Sequence, residues 1–126
     1  MILGIGIDVV QVPRFAAWKE NQKLLRRYFH PEELETALAR REGAVQSLAN
    51  RFAAKEALGK AVGIGLRGVK LKEIQVKNDT FGKPIIVLHG KALEIFHRVG
   101  GTKIHCSLAH EKDNAIAMVV IEGDPD

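Results

Sequence analysis

Asp8, Glu56 and Lys60 are the residues whose types and settings point most directly to chemistry. Asp8 lies in MILGIGIDVV, where residues 2–10 are apolar apart from two glycines and this one acid. A carboxylate in such a run is costly to bury unless it is paired or bound to a cation. It would serve as a metal ligand, as a cap on the helix that follows, or as a charge at the end of a strand. Glu56 and Lys60 are four residues apart in AVQSLANRFAAKEALGKAV, so they share a helix face. That spacing is also the spacing of an ordinary exposed ion pair. Two carboxylates with open positions suit Mg²⁺, which prefers oxygen ligands and keeps waters and substrate phosphates in its shell. Lys60, Arg51 and Lys70 would answer phosphate charge, and the glycine-punctuated basic stretch GIGLRGVKL follows the helix directly. One cysteine and five scattered histidines lack the spacing of a zinc site. The phosphate loop G-x-x-x-x-G-K-[ST] is absent. His110 ends a strand before a turn, and His89, His97 and His105 read as structural.

The elements that must position these groups follow from the pattern. Residues 2–9 read as a strand, with Leu3, Ile5, Ile7 and Val9 on the expected core face and Gly4, Gly6 and Asp8 on the other. Glycines in a strand mark close approach by a ligand or another backbone. Here they suit tight packing on a helix, and they also leave space beside Asp8. VPRFAAWKE (12–20) suggests a short helix with Pro13 in its first turn, and PEELETALARRE a second, acidic early and basic late. Residues 44–62 are the longest helical pattern, with Gly63 as its stop. Strands follow at about 72–77 and 84–89, split by NDTFGKP, then a helix over 91–99. IHCSLAH and AIAMVVIE close the chain as a hairpin around EKDN. This order gives an α+β fold, a mainly antiparallel sheet packed against a long central helix, in a single domain over residues 1–126.

The chain has 126 residues, 46% of them hydrophobic and 27% charged, which is the composition of a soluble globular protein. No apolar run nears the ~20 residues of a membrane span. Residues 2–10 do not read as a signal peptide. The lone Cys106 allows no internal disulfide, and these features fit a cytoplasmic protein. The formal charge of +4 favours an anionic partner. A nucleic-acid module built on Arg26, Arg27, Arg40 and Arg41 is a second reading. Only 6% of residues are aromatic, which disfavours base stacking.

Four segments in order resemble the short bacterial 4′-phosphopantetheinyl transferases, the holo-acyl-carrier-protein synthase family. They are GIGIDVVQVPRF, NRFAAKEALGKAVGIG, FGKP and CSLAHEKDNAIAMVVIE, and they span nearly the whole chain. The resemblance implies transfer of phosphopantetheine from coenzyme A to a serine of an acyl carrier protein, releasing adenosine 3′,5′-bisphosphate, in support of fatty acid biosynthesis. It implies that Asp8 and Glu56 hold Mg²⁺ with the coenzyme A pyrophosphate and that Lys60 contacts that pyrophosphate. Arg51 and His110 would face the 3′-phosphate. Gly63, Gly65 and Pro84 would line the coenzyme A site. Arg14 and Lys23 would meet the acidic carrier protein. It also implies a homotrimer with sites between subunits, and no membrane or nucleic-acid partner. The chain departs from the family pattern at Ile64, in GIG, and at Ala109, in SLAH.

Overall fold

In the computed structural model, which describes residues 1–63 and 68–125, the opening strand β1 (Ile2–Gln11) reverses the expected burial. Gly6 and Val10 are buried, whereas Ile5, Ile7 and Val9 are each more than half exposed. The inner face rests on the long helix α4 (Ala44–Val62). A Cβ on Gly6 would lie 1.9 Å from the Ala57 carbonyl oxygen, and one on Gly4 would lie 1.9 Å from that of Ala61. The glycine space is therefore filled by helix backbone and is not a vacancy for a ligand. Side-chain alternation is read correctly from the sequence. The face assignment fails because four large apolar side chains outweigh two glycines in any hydrophobicity pattern.

β1 pairs antiparallel with β5 (Asn114–Gly123), which pairs with β4 (Gly101–Glu111), in the order β1-β5-β4. β2 (Ile74–Asn78) and β3 (Pro84–Leu88) form a separate antiparallel hairpin. The other helices are α1 (Phe15–Lys19), α2 (Gln22–Tyr28), α3 (Pro31–Leu38) and α5 (Gly90–Arg98), with 3-10 turns at Val12–Arg14 before α1, at Arg41–Gly43 before α4 and at Leu71–Glu73 before β2. The α+β architecture and the central helix are as expected. The expected helix over 12–20 divides into its 3-10 turn and α1. Residues 22–28 form a further helix, which carries Lys23, Arg26 and Arg27. Asn21 caps it by accepting the Leu24 N–H at 3.1 Å.

α4 ends at Gly63, whose φ of +85° lies in the left-handed region that favours glycine. The helix is wrapped on most sides, which explains its run of buried alanines at 49, 53, 57 and 61. Along the stripe Leu48, Arg51, Lys55 and Leu58, two cations are drawn into the core. Lys55 Nζ donates to Glu33 Oε1 at 2.5 Å, to the Leu71 carbonyl at 3.0 Å and to the Ile74 carbonyl. It also lies 5.3 Å from the Phe29 ring centroid. Glu33 further accepts the backbone N–H groups of His30, at 2.9 Å, and Val76, at 3.0 Å. Burial pushes the Lys55 ammonium down to about 8, against the opposing pull of Glu33. This ionic hub ties α3, α4 and the start of β2 together.

Candidate functional site

α4 and β1 bring Asp8, Glu56 and Lys60 to one place. Lys60 Nζ donates to Asp8 Oδ1 at 2.8 Å and to the Ile7 carbonyl at 3.0 Å. The Lys60 side chain is 57% exposed and the Asp8 side chain 14%, so the pair opens to solvent on the lysine side. The ordinary helix pair is not formed: within the described residues Lys60 makes its ion pair with Asp8 and not with Glu56. Nor does Asp8 cap a helix, because the N-cap of the 3-10 turn is Gln11, with no side-chain cap hydrogen bond. Glu56 is half-buried. Its carboxyl is pushed up from the usual range, first by burial and then by the negative charge of Asp8, with Lys60 and Arg14 pulling the other way.

A carboxylate pushed up by burial and by a second carboxylate beside it marks a site a divalent cation would relieve. The donors are all carboxylate oxygen, the chemistry Mg²⁺ prefers. Among the described residues no group of three His, Cys, Asp or Glu side chains is placed to hold a metal. A cation held here would complete its shell with waters and substrate oxygens. On donor chemistry, Asp8 and Glu56 fit Mg²⁺.

Arg14 borders the same site. Its guanidinium carbon lies 5.1, 5.7 and 5.3 Å from the ring centroids of Phe15, Trp18 and Phe52. These rings, with Tyr28, form a continuous aromatic cluster beneath it. Lys23, also assigned to the carrier protein, is exposed on α2.

Arg51 and Pro84 stand apart from the three. Arg51 is about 140° round the helix from Glu56, five residues along at 100° each. Its Nε donates to Ser47 Oγ at 3.1 Å, its Nη1 to the Val76 carbonyl and its Nη2 to Asn78 Oδ1 at 3.3 Å. Asn78 is the register partner of Pro84. Arg51, Arg40, Lys77 and Asn78 line a recess of about 170 Å³. His110 is exposed on the helix-side face, in the row Val10–Ala115–His110, next to the row Asp8–Ala117–Leu108. Gly63 lies at the exposed end of α4, while Gly65 and Ile64 fall outside the described residues.

The Lys55–Glu33 pair beside the site is a feature the sequence reading misses. Its signal was present: Arg51 and Lys55 fall on the same three-four spacing as Leu48 and Leu58. A cation on a core stripe implies a buried acid.

Residues 4–119 match the family model described as the 4′-phosphopantetheinyl transferase superfamily. The chain belongs to that family. A holo-[acyl-carrier-protein] synthase of Treponema denticola is 55% identical over 123 residues, covering 98% of this chain and 100% of that one. One from Treponema pallidum is 48% identical over 125 residues, covering 99% of both. Among solved structures, the holo-[acyl-carrier-protein] synthase of Neisseria meningitidis matches with a TM-score of 0.86 at 37% identity, covering 97% of this chain and 99% of that one. That of Bacillus anthracis, in complex with CoA (3′,5′-ADP), matches with a TM-score of 0.80 at 34% identity, covering 98% and 99%. As a member of this phosphopantetheinyl transferase family, the chain is a transferase, and its helix–sheet arrangement is the fold of these synthases.

Proposed function

We propose that the chain transfers 4′-phosphopantetheine from coenzyme A to a serine of an apo-acyl carrier protein, in a Mg²⁺-dependent reaction that supports fatty acid biosynthesis in the cytoplasm. The observation that carries the reading is the meeting of Asp8, Glu56 and Lys60 at an open site in a member of this family. The serine oxygen forms a bond to the phosphorus that bears pantetheine. The bridging P–O bond breaks, and adenosine 3′,5′-bisphosphate leaves. The carrier supplies the nucleophile, so the transferase needs none of its own.

Asp8 and Glu56 would hold Mg²⁺, which when bound would polarise the pyrophosphate oxygens and orient the reacting groups. Lys60, steered by Asp8 and the Ile7 carbonyl, would hold the pyrophosphate and offset charge on the departing phosphate. Glu56 is the group we assign to receive the serine proton. Arg51 and His110 would take the 3′-phosphate, with Gly63, Gly65 and Pro84 along the coenzyme A site. Arg14 and Lys23 would meet the carrier's acidic surface.

We infer that one domain over residues 1–126 assembles as a homotrimer. Two observations support it. The outer sheet face is apolar and exposed, in the rows Ile5–Val120, Ile7–Met118 and Val9–Ile116. The Asp8 cluster and the Arg51–Pro84 cluster lie on different sides of α4, as expected if coenzyme A spans two subunits.

The test is intact-mass spectrometry of an apo carrier protein incubated with the folded chain, coenzyme A and Mg²⁺. The expected result is the mass gain of one phosphopantetheine arm, abolished by a chelator and restored by added Mg²⁺. An unchanged carrier mass would refute the transfer, and transfer undiminished by the chelator would refute the cation.

A further inference from the structure

We propose that the cleft between α2, the start of α3 and the 71–73 turn is a second ligand site, for a small organic anion on an apolar body such as an aryl phosphate. The cleft measures about 600 Å³; Arg26, His30, Lys72, Glu73 and His89 supply its polar lining, and Pro31 and Leu34 its apolar lining. That volume lies within the ~300–1,000 Å³ of small-molecule sites. None of Asp8, Glu56 or Lys60 lines it.

Hydrogen bonds fix its two imidazoles. The His30 and His89 rings stack, with centroids 4.8 Å apart and an interplanar angle of 21°. His30 Nδ1 accepts the Glu32 N–H at 3.1 Å, so the ring proton of neutral His30 sits on Nε2. Gln75 donates its amide N–H to Glu32 Oε2 at 3.0 Å, which turns its Oε1 to His89 Nε2 at 2.8 Å. His89 Nε2 therefore donates, and its orientation is set. The His30 Nε2–H has no hydrogen-bond partner among the described residues.

Arg26 and Lys72 are exposed, and neither is ion-paired to an acid among the described residues. Glu73, the carboxylate in the wall, is committed elsewhere: Oε1 accepts the Lys70 N–H at 3.1 Å and Oε2 the Lys91 N–H at 3.0 Å. Two cations and one imidazole N–H thus share the cleft with Pro31, Leu34 and a stacked aromatic pair. An inorganic anion would satisfy only the polar donors, and a neutral ring only the apolar lining. An anion carried on an apolar or aromatic group satisfies both.

The test is proton NMR of the full chain, following the imidazole resonances of its five histidines during titration with phenyl phosphate. Spectra of His30→Gln and His89→Gln supply the assignments. His30 and His89 are expected to shift saturably, with a dissociation constant on the order of 1 mM. Inorganic phosphate and phenol should each bind at least about tenfold more weakly. Lys72→Ala and Arg26→Ala should each weaken phenyl phosphate about fivefold, leaving carrier modification unchanged. The proposal is overturned if the two histidines do not shift, or if inorganic phosphate matches phenyl phosphate. It is equally overturned if both variants bind like wild type, or if only His110 responds, which would put the anion at the transfer site.

Discussion

Glu33 and Lys55 show how a single residue pair holds the site's scaffold. Both side chains are fully buried, and Lys55 is the residue before Glu56 on α4. Glu33→Gln removes the charge that answers a buried ammonium, and breaking such a pair costs about 3–5 kcal/mol. We predict a loss of that size in urea unfolding. Glu33→Met combined with Lys55→Met should recover only part of it: the ammonium no longer needs a countercharge, but the buried Arg51, 3.9 Å from Glu33, and the Val76 N–H lose their acceptor. A Glu33→Gln variant with a wild-type midpoint would contradict the hub. At this scale the sequence was partly legible. Asp8, Glu56 and Lys60 stood out because charge in an apolar run or at helical spacing is visible in one dimension. The partner of Lys55 was not, because Glu33 lies 22 residues away and meets it only in the folded chain.

The element that decides the site's geometry is β1 lying on α4. Its contact depends on Gly6, where a Cβ would stand 1.9 Å from the Ala57 carbonyl oxygen and 2.7 Å from the Ala61 nitrogen. Backbone atoms cannot step aside, so Gly6→Ala must lift the strand from the helix. We predict a stability loss of at least about 3 kcal/mol, the upper end of overpacking, together with lost transfer, since Asp8 would leave Lys60. Gly82→Asn is the control: nothing lies within 4 Å of a Cβ there, and its φ of +85° is one that asparagine adopts more readily than other side chains, so it should lose far less stability than Gly6→Ala. Equal effects from the two substitutions would contradict the close-packing account. The element order and the extent of α4 were readable, because a 19-residue helical pattern ending in glycine has few alternatives. Which face of β1 is inside was not, since glycine carries no hydrophobic signal and its role appears only against the helix that fills its space.

For the whole molecule, the exposed face of β1 and β5 makes a prediction about assembly. Ile5, Ile7, Val9 and Met118 are 60%, 57%, 57% and 45% exposed, an apolar sheet surface of the kind that marks an interface. Ile7→Lys should convert the proposed trimer to a monomer in sedimentation velocity, with its fold intact by circular dichroism. It should also lose transfer, because the Asp8 and Arg51 clusters would no longer share one coenzyme A. A wild-type chain that sediments as a monomer would refute the assembly, and a trimeric Ile7→Lys variant would refute this interface. Neither the assembly nor this face was readable from composition, where an apolar strand looks like core. If Asp8 and Glu56 carry the transfer, the rate of phosphopantetheine addition to an apo carrier, followed by intact mass for the wild type beside folded Asp8→Ala and Glu56→Ala, must show it. Each variant is expected to fall by at least about 100-fold, the scale of losing a group that stabilises transition-state charge. Wild-type rates in either variant would remove that carboxylate from the site.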